Sequence, residues 1–115
     1  MNQPKNGNVS EIIELVRTFP NIQFIIGHAG LFWVNEIRKA LHDCENSWVD
    51  TSFQPPSEIR KLVKSFGLGK VLYASDWPWG NQGPHIASVK AACKGDQYME
   101  KRIFSENARE ILGLT

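Results

Sequence analysis

The sequence predicts an α/β fold: about three parallel strands with covering helices. Three observations predict it. Short, almost wholly apolar runs rich in β-branched residues end near positions 27, 51 and 75. The stretches between them carry apolar residues at helical spacing. The resulting repeat of about 24 residues is that of consecutive right-handed parallel βαβ units. No linker or low-complexity stretch interrupts the 115 residues, so a single unit over 1–115 is expected.

In chain order, residues 8–19 place Val9, Ile12, Ile13, Leu15, Val16 and Phe19 on a helical face, with Ser10 and Glu11 as the expected cap. After Pro20-Asn21, the run Ile22-Gln23-Phe24-Ile25-Ile26 predicts a strand buried on both faces, ended by Gly27-His28-Ala29-Gly30. Leu31, Val34, Ile37, Ala40 and Leu41 predict a helix to His42, and Ser47–Thr51 a second strand. Pro55-Pro56-Ser57 opens a helix whose inner stripe is Ile59, Leu62, Val63 and Phe66, stopped by Gly67 and Gly69. Val71–Ser75 is the third strand, and the Pro- and Gly-rich residues 76–84 read as a loop. Three helices follow, over 86–93, 97–104 and 107–112, the middle one polar enough for the surface.

A net charge of +1 and 22% charged residues exclude nucleic-acid binding driven by basic excess. No apolar run approaches the roughly 20 residues of a spanning helix, and Met1–Ser10 lacks the apolar core of a signal peptide, so a cytoplasmic address is expected. Cys44 and Cys93, without CxxC or Cys/His spacing, are expected to be reduced and packed. The length excludes a closed (β/α)8 barrel, which takes about 200 residues or more.

His28 follows the first strand and Asp76 the third, at the edge where parallel α/β folds bind ligands. A histidine and an aspartate converging there suit a divalent metal or a general-base pair. Each residue also has a plain structural use: His28 in a Gly-rich turn, Asp76 as a cap or turn former before Trp77-Pro78. Asp50 holds the matching end of the second strand, where with Thr51 and Ser52 it can simply cap a turn. Trp33 and Trp48 are expected in the core, and Trp77 and Trp79, beside Asp76, as pocket lining or as surface rings. His42 and His85 read as surface histidines.

The segments Phe24-Ile25-Ile26-Gly27-His28-Ala29-Gly30, Val49-Asp50-Thr51-Ser52, Leu72-Tyr73-Ala74-Ser75-Asp76-Trp77-Pro78 and Glu106–Leu114 occur in an order and spacing that resembles the C-terminal part of the amidohydrolase-related family, which includes aminocarboxymuconate semialdehyde decarboxylase-like enzymes. The resemblance implies a partial TIM barrel, the three strands being its sixth, seventh and eighth. It implies a metal-dependent hydrolase or decarboxylase acting on a small molecule, with a divalent metal, zinc first, as cofactor. His28 would bind or orient the metal water and move protons, and Asp76 would be the metal-ligating or metal-side carboxylate, while the pattern gives Asp50 no fixed role. From their position at the same strand ends, Trp77, Trp79 and Asp50 are the expected substrate-binding residues.

The family's other ligands, a His-x-His or Glu-x-His motif on the first strand and a histidine on the fifth, do not occur in these 115 residues. The expectation is therefore a piece that is inactive without the missing strands. It would associate as a homo-oligomer or with a missing barrel half through an inner face made of Phe24, Ile26, Leu72, Ala74 and Trp48 and through free edges on both outer strands. The alternative is a non-catalytic oligomeric α/β protein derived from that family.

Overall fold

The computed structural model describes residues 7–114. Its elements are α1 (Gly7–Thr18), β1 (Phe24–Ile26), α2 (Val34–Leu41), β2 (Ser47–Asp50), α3 (Pro56–Phe66), β3 (Val71–Leu72), α4 (Gln82–Cys93), α5 (Gln97–Lys101) and α6 (Asn107–Ile111). A tight 3-10 stretch, Gly27–Trp33, precedes α2, and a π-helical turn, Arg102–Glu106, joins α5 to α6. The three strands form one parallel sheet in the order β1-β2-β3, as the repeat predicts. Among the described residues no helix is long and apolar enough to cross a membrane.

Register divides the sheet into two faces, because side-by-side residues of parallel strands point the same way. Ile26 pairs with Val49 and Val49 with Val71, and this row is buried against α1, α2, α3 and α4. Val16, Ile37, Leu41, Ile59, Leu62 and Val89 complete that core at 0–1% exposure. Each such side chain contributes about 1.5–3 kcal/mol on burial. Trp33, expected in the core, is partly buried and packs against its rim.

The opposite face carries Ile25 beside Trp48 and Asp50 beside Leu72. The expected inner face is therefore corrected in part. Phe24 and Ile26 point to the helices, while Ile25 is 49% exposed. Trp48 lies outside the core, under the Lys70 ammonium at 4.4 Å from its ring centroid. Burial lowers the pKa of Lys70, partly offset by Glu45 and Cys44. A three-residue apolar strand has no alternation from which to read its parity.

Several boundaries also move. Ser10 and Glu11 sit inside α1, which starts at Gly7. β1 excludes the half-exposed Ile22, and with Ile25 open the strand is not buried on both faces. The helix expected from Leu31 begins at Val34, because His28, Ala29, Gly30 and Leu31 all have positive φ. Gln82, Gly83 and Pro84, read as loop, are the first turn of α4, where a proline lacks no needed donor.

α3 behaves as its sequence dictates: Pro56 starts it, Ile59, Leu62 and Phe66 are buried, and Gly67 ends it at φ 97°. That left-handed conformation is one glycine adopts without a Cβ penalty.

β3 is shorter than the run Val71–Ser75, its pairing with β2 ending at Asp50–Leu72, and its outer edge is taken by the C-terminal segment. Tyr73 N–H donates to Ile103 O at 2.9 Å, and Asn107 Nδ2 donates to Val71 O at 2.8 Å and to Leu68 O at 2.6 Å. Ile103 and Asn107 are buried at 1% and 0% exposure, so of the helix expected at the surface, 97–104, Ile103 is core. The free edge expected on β3 is thus occupied, and β1 remains the edge strand of the sheet. Both cysteines are free thiols, Cys93 buried and Cys44 partly so. Burial, then Glu100 and Asp96, pushes the Cys93 pKa up.

Candidate active site

The loops leaving the C-terminal ends of the three strands all hold non-glycine residues in the left-handed region. These are His28 (φ 57°), Ala29 (φ 50°) and Leu31 (φ 48°) after β1, Phe53 (φ 62°) after β2 and Asp76 (φ 57°) after β3. Such conformations cost on the order of 1–3 kcal/mol each, persist only when surroundings enforce them, and cluster at functional sites. Here they gather at one mouth of the sheet.

His28 is held from three directions by the β2–α3 loop. Its N–H donates to Asp50 Oδ1 at 3.0 Å, and its carbonyl accepts from Gln54 Nε2 at 2.8 Å. Its ring Nδ1 lies 2.6 Å from Ser52 Oγ. Asp50 Oδ1 also receives the Ser52 N–H at 3.0 Å and the Ser52 hydroxyl at 2.6 Å. Asp50 therefore does form the turn its sequence suggests, and holds the first strand's loop as well. The Phe53 ring stands edge-on to His28, with centroids 5.3 Å apart.

Asp76 reaches the same place from β3. Its Oδ2 is 3.8 Å from His28 Nε2, both side chains about one-third exposed. Its backbone is set by a turn in which Gly80 N–H donates to Asp76 O at 2.8 Å. A Cβ on Gly80 would stand 1.7 Å from Ser75 O and 3.1 Å from His85 Cε1, so only glycine fits there. The rings of Trp77 and Trp79, on this turn, are 70% and 83% exposed.

His42 is exposed, as expected, but His85 is not a plain surface histidine. It is partly buried, its ring edge-on to Phe53 at 5.0 Å, its Nδ1 2.6 Å from Asn81 O and its Nε2 buried without a partner. Phe53 thus separates two imidazoles. Sequence reasoning also missed Gln54 and the contact of Ser52 with the His28 ring. The one local signal was the Asp50-x-Ser52 turn pattern. The ring contacts join residues far apart in sequence, and no periodicity reports them.

A separation of 3.8 Å is too long for a hydrogen bond. The gap instead leaves a nitrogen and a carboxylate oxygen facing one another across room for a shared ion or proton-bearing group. As a metal site the pair is partial: catalytic zinc takes three protein ligands, and no group of three or more His, Cys, Asp or Glu that could hold a metal occurs among the described residues. His28 and Asp76 fit as two donors of a larger set.

Three parallel strands joined by helices, with His28 and Asp76 meeting at their C-terminal ends, make a β/α unit with one shared mouth. The sequence profile of the amidohydrolase family matches residues 5–114, and the chain belongs to that family. No curated protein matches the sequence. Among solved structures, amidohydrolase 2 from Bifidobacterium longum subsp. infantis superposes with a TM-score of 0.75 at 20% identity, covering 99% of this chain and 49% of its own. The 5-carboxyvanillate decarboxylase from Sphingomonas paucimobilis gives 0.72 at 19% identity, over 94% of this chain and 39% of that one. A 2,6-dihydroxybenzoate decarboxylase complexed with 2,6-dihydroxybenzoate gives 0.70 at 18%, over 86% and 37%. At these identities the likeness concerns the fold. The chain spans about half the length of these structures or less, and its three-stranded sheet is part of a TIM barrel.

Proposed function

We propose that this chain is the C-terminal part of a metal-dependent amidohydrolase-like hydrolase or carboxy-lyase, active only when the remaining barrel strands are supplied. The observation that carries the reading is the approach of His28 Nε2 to Asp76 Oδ2 at the C-terminal mouth of the sheet. In the complete site Asp76 serves as the metal-side carboxylate, and His28 holds or moves a proton at Nε2 facing the substrate. A divalent ion, zinc first, held by Asp76 and by ligands outside the chain, would polarise a carbonyl or carboxylate oxygen. Trp77 and Trp79 supply exposed aromatic surface beside Asp76 for a small, unsaturated or aromatic acid, and Asp50 closes the floor behind His28. The decarboxylase names of two structural neighbours support a carboxylate substrate.

The half-exposed Ile25 next to Trp48, on an edge strand, supports association with the missing half or with further copies, because wet apolar surface on an unpaired strand favours pairing. The absence of a three-ligand group among the described residues favours a second reading, a non-catalytic oligomeric protein derived from the family.

The test is turnover on aromatic carboxylates, esters and amides, with zinc or manganese added. The isolated chain is expected to show none above background. Combined with a chain carrying the remaining strands, it should turn substrate over, and His28→Ala should abolish this. Turnover by the isolated chain that survives chelation contradicts the reading, and a stable metal-free oligomer that stays inactive after the remaining strands are added supports the second.

A further inference from the structure

We infer that Asp50 and Ser52 fix the tautomer of His28, keeping its hydrogen on Nδ1 and its Nε2 lone pair turned toward Asp76. This deepens the proposed function and rests on its reading of His28.

The argument is one of counting hydrogens. Asp50 Oδ1 receives the backbone N–H groups of His28 and Ser52, both at 3.0 Å, and an amide N–H can only donate. That oxygen is therefore an acceptor. The Ser52 hydroxyl, 2.6 Å from it, points its single hydrogen there. Toward His28 Nδ1, also at 2.6 Å, Ser52 Oγ then presents only lone pairs, so Nδ1 must carry the hydrogen. Ser52 is 0% exposed, which leaves bulk water no part in this exchange.

In a neutral ring Nε2 is then unprotonated, and it faces Asp76 Oδ2 across 3.8 Å. Two acceptors looking at each other repel unless something electropositive stands between them. The arrangement is thus prepared for a divalent cation or for the acidic hydrogen of a substrate or water. With the other tautomer, Nε2–H would point at Asp76 and fill the gap itself. Asp50 and Ser52 are positioning residues: they act on the reaction through the imidazole and touch no reacting atom.

The experiment is long-range proton–nitrogen correlation NMR on the full chain with labelled histidine, at alkaline pH where imidazole is neutral. In the native chain the His28 Nδ1 resonance should fall in the protonated, pyrrole-type range and Nε2 in the unprotonated, pyridine-type range. Ser52→Ala should exchange the two assignments in whole or large part. Ser52→Thr, which keeps the hydroxyl, should preserve them. Asp50→Ala should act like Ser52→Ala, because the freed hydroxyl can then donate to Nδ1, and it serves if the buried Ser52→Ala chain does not fold.

A native chain with its hydrogen on Nε2, or a folded Ser52→Ala or Asp50→Ala chain that keeps it on Nδ1, overturns the inference. Because the tautomer is read without metal or turnover, this result and the outcome for the proposed function can fail separately.

Discussion

Asp50 and Asp76 leave neighbouring parallel strands at the same edge of the sheet, yet the fold uses them in opposite ways. One oxygen of Asp50 collects three donors from two loops and ties them together. Asp76 is placed by its backbone turn, and its carboxylate meets His28 only at 3.8 Å. A carboxylate with one oxygen engaged by three donors of the protein acts structurally through that oxygen. One held in a strained conformation with its oxygens left open is available to something else. Residue type and strand-end position alone do not separate the two; the hydrogen-bond inventory does.

The largest effect should come from removing what supports the open aspartate. Gly80→Ala pushes a methyl group against Ser75 O, a backbone atom that cannot give way cheaply. Overpacking of this kind costs about 1–3 kcal/mol and occasionally more, and denaturant unfolding should place Gly80→Ala at or above the top of that range. A variant of native stability would show that the turn does not fix Asp76.

Asp50→Ala should come next. It strands the N–H groups of His28 and Ser52 in partly buried surroundings, for about 1–3 kcal/mol, read as a lowered denaturant midpoint with an unchanged slope. The smallest effect belongs to Asp76→Asn, which tolerates the same left-handed backbone and should stay within about 0.5 kcal/mol of the parent. Equal losses for Asp50→Ala and Asp76→Asn would erase the distinction drawn between the two aspartates.

The contrast also explains what was legible in the sequence. Strand number, order and parallel pairing followed from three apolar runs at even spacing, and α3 from its proline start, its Ile59–Leu62–Phe66 stripe and Gly67. The faces of the strands were not legible, because Phe24-Ile25-Ile26 is apolar throughout and offers no alternation. Nor was the sealing of β3, since Ile103 lies in a helix, 97–104, that reads as surface, and the Asn107 contacts to Leu68 and Val71 span more than 30 residues. His28 and Asp76 stood out as ionisable groups at strand ends. Their geometry depends on contacts such as His28 to Ser52, 24 residues apart, and on the Gly80 cradle, neither of which leaves a local pattern.

The most direct measurement is the metal content and turnover of the completed protein, with this chain joined to the remaining barrel strands, in Asp76→Ala and Asp50→Ala forms. Asp76→Ala should lose both bound metal and activity while staying folded. Asp50→Ala should keep most of its metal and lose activity only in part. Metal retained in full by Asp76→Ala, or lost equally in both variants, would contradict the assignment of the open aspartate to the metal side of the site.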